Sequence, residues 1–192
     1  MKEITDIDNQ SWLDKISELL MREPKDKSQL MKLLRDAEQR KIFNKDALSM
    51  LEGVLSVSEV TVKKIMIKRK EMVSISLDES NDSVLTKLVD SKHSRIPCFN
   101  TNFEDIAGIL HAKDVLPFLI GNDKTFNIKD ILRPVSFVPE NKRLDVLLKD
   151  FRNSRNHMAI ILDEYASVIG LVTIEDVLEQ IVGDIIDEFE SA

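Results

Sequence analysis

The sequence has a single cysteine, Cys98, among 192 residues, which excludes an internal disulfide and a cysteine-built metal cluster. A lone thiol fits a reducing compartment, and a cytoplasmic location is the expectation. Glycine is scarce, with five in all, and no P-loop or Gly-x-Gly-x-x-Gly run is among them. The three histidines, His93, His111 and His157, are dispersed, without the spacing of a zinc site. His93 stands beside Ser94, but adjacency in sequence does not make a nucleophile and its base. No catalytic residue, no metal ligand set and no enzyme activity are therefore expected. No apolar run approaches the roughly 18 residues of a membrane span, so transport by this chain alone is excluded. The first residues, Met1 to Asp6, lack the basic start and apolar stretch of a signal peptide. Basic residues end at Arg155. Residues 156–192 carry nine acids and no base, so the net charge of −7 lies in the last fifth and residues 1–155 sum to +2. Such a chain lacks the basic face of a nucleic-acid binder.

What the sequence does have is an internal duplication. Val62-Lys63-Lys64-Ile65-Met66 matches Ile128-Lys129-Asp130-Ile131-Leu132, and Gly108 to Leu116 matches Gly170 to Leu178. Ser94 to Phe99 matches His157 to Leu162, and the offset drifts only from 66 to 63 to 62. Each copy reads as a short strand (Met72–Ile75; Val135–Val138), then an amphipathic helix. Its apolar positions are Val84, Leu85, Leu88 and Val89 in one copy and Leu144, Leu147, Leu148 and Phe151 in the other. An apolar strand (Ile96–Phe99; Met158–Leu162), a second strand (Ile106–Leu110; Val168–Val172) and a closing helix from His111 or Thr173 follow. The order is β-α-β-β-α, twice, and neither copy buries its sheet alone. Residues 1–60 show helical periodicity only: Trp12, Leu13, Ile16, Leu19 and Leu20, then Leu30 to Ala37, then Leu48 to Leu55. Ser11, Ser28 and Asn44 are the expected N-caps.

The second copy closes on Gly170-x-x-Thr173-x-x-Asp176. Glycine permits close backbone approach to a ligand, Thr173 stands at a helix N-terminus that favours phosphate, and Asp176 offers acceptors to paired ribose hydroxyls. The same Thr-x-x-Asp also satisfies a capping box, which needs no ligand. Cys98 and Trp12 read as core and helix anchor.

With Ser94-Arg95-Ile96-Pro97, Asp163-Glu164-Tyr165, Gly170 to Glu179 and Ile181-Val182-Gly183-Asp184-Ile185, the chain resembles tandem CBS domains, in particular those of the CorC magnesium and cobalt efflux family. The resemblance implies an α/β fold: a tandem CBS-domain pair of β-α-β-β-α repeats with pseudo-twofold symmetry, preceded by an N-terminal helical segment. The expected bounds are 1–60 for that segment, 61–121 and 122–186 for the repeats, and 187–192 for an acidic tail. It implies a regulatory module that binds an adenine nucleotide, AMP or ATP, with Mg²⁺ entering on the phosphates. Carried over, one site combines Leu171, Thr173 and Asp176 with Met72, Val73, His93, Ser94 and Pro97, and Arg69 meets phosphate. Asp176 holds the ribose, and Met72, Val73 and Leu171 flank the adenine. A poorer second site has His111 and Asp114. A homodimer and a membrane magnesium or cobalt transporter as partner are expected. The alternative is a cation-sensitive or dimeric interaction module without nucleotide. Three departures stand out. Lys68 replaces a frequent Pro, Ala166-Ser167 replaces a Gly pair and implies a less tight turn, and the family's C-terminal transporter-associated domain is absent from the sequence.

Overall fold

The structure is a computed structural model that describes residues 24–120 and 126–183. The expectations for Ser11 and Trp12, and for the acids from Asp184 on, lie outside the described residues. The chain divides into two compact units, residues 1–55 and 56–192.

In the first unit, helix α1 (Lys27–Gln39) and helix α2 (Lys45–Ser56) form from the expected apolar periodicity. The cap of α1 is Asp26 rather than Ser28: its carboxylate accepts the Gln29 amide at 2.8 Å. Aspartate caps as well as serine, and Gln29 reaches back to the Lys25 amide, which anchors the start two residues earlier. Asn44 caps α2 as expected, accepting from the Ala47 amide at 2.9 Å.

The second unit contains both repeats. Helix α3 (Val62–Ile65), strand β1 (Ile67–Lys68) and a 3₁₀ turn (Arg69–Glu71) lead into strand β2 (Ile75–Ser76). Helix α4 (Asn81–Ser91), strand β3 (Arg95–Phe99), strand β4 (Ile106–His111) and helix α5 (Ala112–Ile120) complete the first copy. Helix α6 (Ile128–Ile131), strand β5 (Ser136–Pro139), helix α7 (Leu144–Ser154), strand β6 (Met158–Leu162), strand β7 (Val168–Thr173) and helix α8 (Ile174–Val182) form the second. The first strand of copy one begins three residues later than expected. The 3₁₀ turn takes up the preceding chain, and Met72 to Ser74 run without a strand partner.

The sheets are β2-β3-β4 and β1-β7-β6-β5. In each, the copy's first strand runs parallel to its second and the last two are antiparallel. The fourth strand of the larger sheet is foreign: β1, from the start of copy one, pairs Ile67 with Leu171 on β7 of copy two. The reciprocal crossing is a bridge between Arg133 and Ile109, with both backbone bonds at 2.9 Å. The cores follow the same exchange. Val57 and Val62 pack with Val138, Leu144, Leu147, Phe151 and Val177 under the second sheet. Phe126 and Ile128 pack with Ile75, Val84, Ile96, Cys98 and Val115 under the first. A third cluster, including Ile106 and Ile109 of β4 with Ile160 and Leu171 of the other sheet, joins the two. Each leading segment thus seals the other repeat's sheet, which makes the pair one folding unit. Cys98 is fully buried there, and burial pushes its thiol up to about 12, so it stays a packing residue.

Glu79 and Lys87 form an ion pair at 2.6 Å beside α4, and at the repeat offset of 63 Lys142 and Asp150 form one at 2.5 Å beside α7, with the charges exchanged. Burial pushes the Glu79 carboxyl up, but bonds from Lys87, the Ser76 amide and Ser83 outweigh it and hold it below the usual range. The turn at 163–167 is tight, contrary to the expectation from Ala166-Ser167. Asp163 accepts the Tyr165 and Ser167 amides at 2.9 Å, and Ala166 adopts a left-handed φ of 61° to close it. Those bonds offset a left-handed penalty of about 1–2 kcal/mol.

Candidate functional site

Strand β7 ends at Thr173, where the chain turns into α8. The Thr173 hydroxyl accepts the Asp176 amide at 3.2 Å, and the Asp176 Oδ2 accepts the Thr173 amide at 2.6 Å and its hydroxyl at 2.8 Å. This is the capping box the spacing allows. Both bonds to the carboxylate end on Oδ2, so Oδ1 takes no part in the box. Capping and ligand binding are therefore compatible on one side chain.

A cleft of about 400 Å³ opens beside this corner. Met72, Val73, His93, Ser94, Pro97, Leu171, Thr173 and Asp176 all line it, as the sequence reading placed them. Each arrives for a local reason. Leu171 comes from β7 and Pro97 from β3. Lys92 ends α4 in a left-handed conformation, φ 57°, which turns His93 and Ser94 toward the cleft. Met72 and Val73 reach it because no strand takes them up. Ile67, on the strand that crosses from the other repeat, adds to the apolar wall.

Arg69 is not in this cleft. Its guanidinium pairs with Glu104 and stands 4.7 Å over the Phe103 ring. The other Glu104 oxygen accepts the Val168 amide at 2.6 Å. Arg69 thus ties the β3–β4 loop to the start of β7, and its expected phosphate contact is corrected by that engagement. The basic groups that line the cleft are Lys92 and Arg95. Arg95 has one amino group 3.4 Å from the His157 ring, while its Nε is buried without a hydrogen-bond partner in the protein. Such orphaned donors are uncommon, and this one is enclosed by protein rather than open to the cleft. Arg95 lay inside the Ser94–Pro97 block, and its position one residue from Ser94 was the available signal. Glu71 and Glu175 also line the cleft and oppose a bare polyphosphate.

Gly170 does allow a close approach, but the visitor is protein. A Cβ at that position would run into the carbonyl oxygen of Ile67. Gly108 plays the same part for the reciprocal crossing, with a Cβ only 2.8 Å from the Arg133 carbonyl oxygen.

The second, repeat-related position is different. His111 ends β4, opposite Arg95, and Asp114 lies in the first turn of α5. Arg133 grips Asp114 with two bonds, 2.7 and 2.8 Å, and holds its carboxyl below the usual range. Burial first, then Arg133 and Arg95, lowers the His111 pKa. The two positions therefore differ in their surroundings, with Arg133 the added element at the second.

The first cleft holds groups of the kinds a nucleotide would need. The volume falls within the range of roughly 300–1,000 Å³ usual for small-molecule sites. Ile67, Met72, Val73 and Leu171 offer a base an apolar surface, the Asp176 Oδ1 an acceptor for ribose, and Arg95 a donor for phosphate. Among the described residues no group of three or more His, Cys, Asp or Glu is placed to hold a metal, and no helix is long and apolar enough to cross a membrane.

Comparison with known proteins agrees with this fold. Residues 62–121 and 128–183 each match the CBS domain family, and residues 22–57 match the N-terminal region of NMB0537. The chain is 46% identical over 180 residues to the magnesium and cobalt efflux protein CorC of Vibrio cholerae, covering 94% of this chain and 62% of that one. The chain thus spans about three fifths of that relative's length. Among solved structures, the CBS domain of the bacterial CNNM/CorC family Mg²⁺ transporter matches with a TM-score of 0.77 at 35% identity, over 84% of this chain and 99% of that one. The complex of that domain with ATP matches at 0.67 and 38% identity, over 71% and 97%. A CBS-domain pair with bound AMP from Klebsiella pneumoniae matches at 0.56 and 30% identity, over 65% and 98%. With its two β-α-β-β-α copies packed as one unit and an N-terminal helical segment ahead of them, the chain belongs to the CBS-domain family, as a tandem pair similar to those of CorC proteins.

Proposed function

We propose that this chain is a regulatory module that binds one adenine nucleotide in the first cleft and couples its occupancy to magnesium and cobalt transport by a membrane partner. One observation carries the reading: a single cavity gathers the carboxylate of Asp176, the apolar residues Met72, Val73 and Leu171 and the basic residues Lys92 and Arg95. AMP and ATP in related CBS structures support the ligand class. The magnesium and cobalt link rests on the relative's name. Regulation requires the nucleotide to favour one arrangement of the module over another.

Glu71 and Glu175 add a refinement. AMP places one phosphate near Arg95, whereas the longer ATP chain extends toward carboxylates, and Mg²⁺ on the phosphates relieves that repulsion. Calorimetry with AMP and with ATP, each with and without Mg²⁺, tests both points. One site per chain and Mg²⁺-dependent affinity for ATP only are expected. No uptake of either nucleotide removes the reading, and equal ATP affinity with and without Mg²⁺ removes the refinement.

The module also pairs with a second copy in this reading. Leu116 and Ile120 on α5, 53% and 85% exposed, and their repeat counterparts Leu178 and Val182 on α8 present apolar side chains to solvent. Such matched surfaces fit a symmetric interface. Leu178→Glu with Leu116→Glu is expected to convert a dimer to a monomer in sedimentation. A monomeric wild type at micromolar concentration contradicts it.

A further inference from the structure

We infer that Arg133 is a built-in occupant of the second, repeat-related position and sets the chain's capacity at one nucleotide. This deepens the proposed function and rests on its reading of the first cleft. Ile67 and Arg133 are counterparts at the offset of 66, and each bridges to the other repeat's closing strand, Ile67 to Leu171 and Arg133 to Ile109. The backbones are placed alike, so the side chains are directly comparable. Ile67 gives the first cleft an apolar wall and leaves Asp176 Oδ1 outside the capping box. Arg133 instead lays its planar guanidinium on both oxygens of Asp114, the counterpart of Asp176. A ribose hydroxyl needs a free carboxylate oxygen as acceptor, and a fork-shaped guanidinium engages both oxygens at once. Arg133 therefore satisfies the ribose acceptor from within the chain.

The geometry is fixed from behind. The Arg133 backbone is held to Ile109 by two bonds, and its carbonyl lies against Gly108, so the side chain starts at a set point. His111 stands at the position Thr173 holds in the first cleft, and burial first, then Arg133 and Arg95, disfavours its charged form. The position is occupied by arginine, not merely missing residues: Asp114 is present and spoken for.

The test is calorimetry with AMP on wild type, on Arg133→Ile, which copies the counterpart residue, and on Arg133→Ile with His111→Thr. Arg133→Gln serves if isoleucine lowers thermal stability, since Arg133 is half-exposed and glutamine keeps its stem polar. Wild type is expected to take up one AMP and at least one variant two, with the first-site affinity unchanged. Adding Asp114→Ala to that variant returns the count to one, while Asp114→Ala alone leaves wild-type uptake as it was. A count that stays at one in every natively folded variant overturns the role of Arg133 and leaves the first-cleft reading standing. If wild type takes up none, the first-cleft reading falls. Uptake of one AMP by a variant then still supports Arg133 as occupant, and uptake of none overturns it.

Discussion

Asp176→Ala is expected to weaken AMP binding by about 10- to 100-fold, because hydrogen bonds to a charged group contribute roughly 1.5–3 kcal/mol. The same change removes the capping box of α8, which costs about 1 kcal/mol of stability. The two losses must be separated. Asp176→Asn keeps an oxygen that accepts the Thr173 amide but gives up the charge, so it is expected to hold thermal stability near wild type while affinity still falls. Calorimetry beside thermal unfolding reads both. If Asp176→Ala unfolds earlier but binds AMP as wild type does, the residue is a cap and nothing more.

Gly170→Ala is expected to be the most damaging small change in the second unit. The added methyl meets the Ile67 carbonyl oxygen, which is backbone and is held in place by pairing with Leu171. Overpacking of this kind costs about 1–3 kcal/mol, or a fall in Tm on the order of 3–10 °C for a domain of this size. The effect reaches the cleft, because Ile67 and Leu171 both line it. Gly108→Ala strains the reciprocal crossing in the same way but touches no residue of the cleft. Both variants should lose stability, and only Gly170→Ala should also lose AMP affinity. Equal affinity losses would mean that general loosening, not displacement of β1, is responsible.

The parts of this fold that were legible in sequence are those set by neighbours along the chain. The apolar runs at 96–99 and 158–162 became β3 and β6, and Thr-x-x-Asp became a capped corner. The cleft residues were legible through family resemblance rather than periodicity. What escaped depends on pairings across the chain. Ile67 and Lys68 have no strand signature of their own and become a strand only because β7 offers an edge. Met72 reads as strand by its side chain, yet the turn before it removes its partner. The phosphate contact expected of Arg69 rests on resemblance and on the suitability of arginine for phosphate, and Glu104, 35 residues on, engages it instead. Arg133 carried no signal until its place beside Ile109 showed which carboxylate it faces. The acidity that ends the chain is also resolved in part. Asp163 builds a turn, Asp176 a cap, and Glu175 lines the cleft.

The exchanged ion pairs are local to each copy. Glu79 and Lys142 each stand two residues before the helix that carries the opposite charge, so each pair clasps its helix to the turn leading into it. Both pairs are partly exposed, and such pairs contribute at most about 1 kcal/mol. Either polarity closes the clasp, so the two copies share the fastening without sharing the sign of its charges.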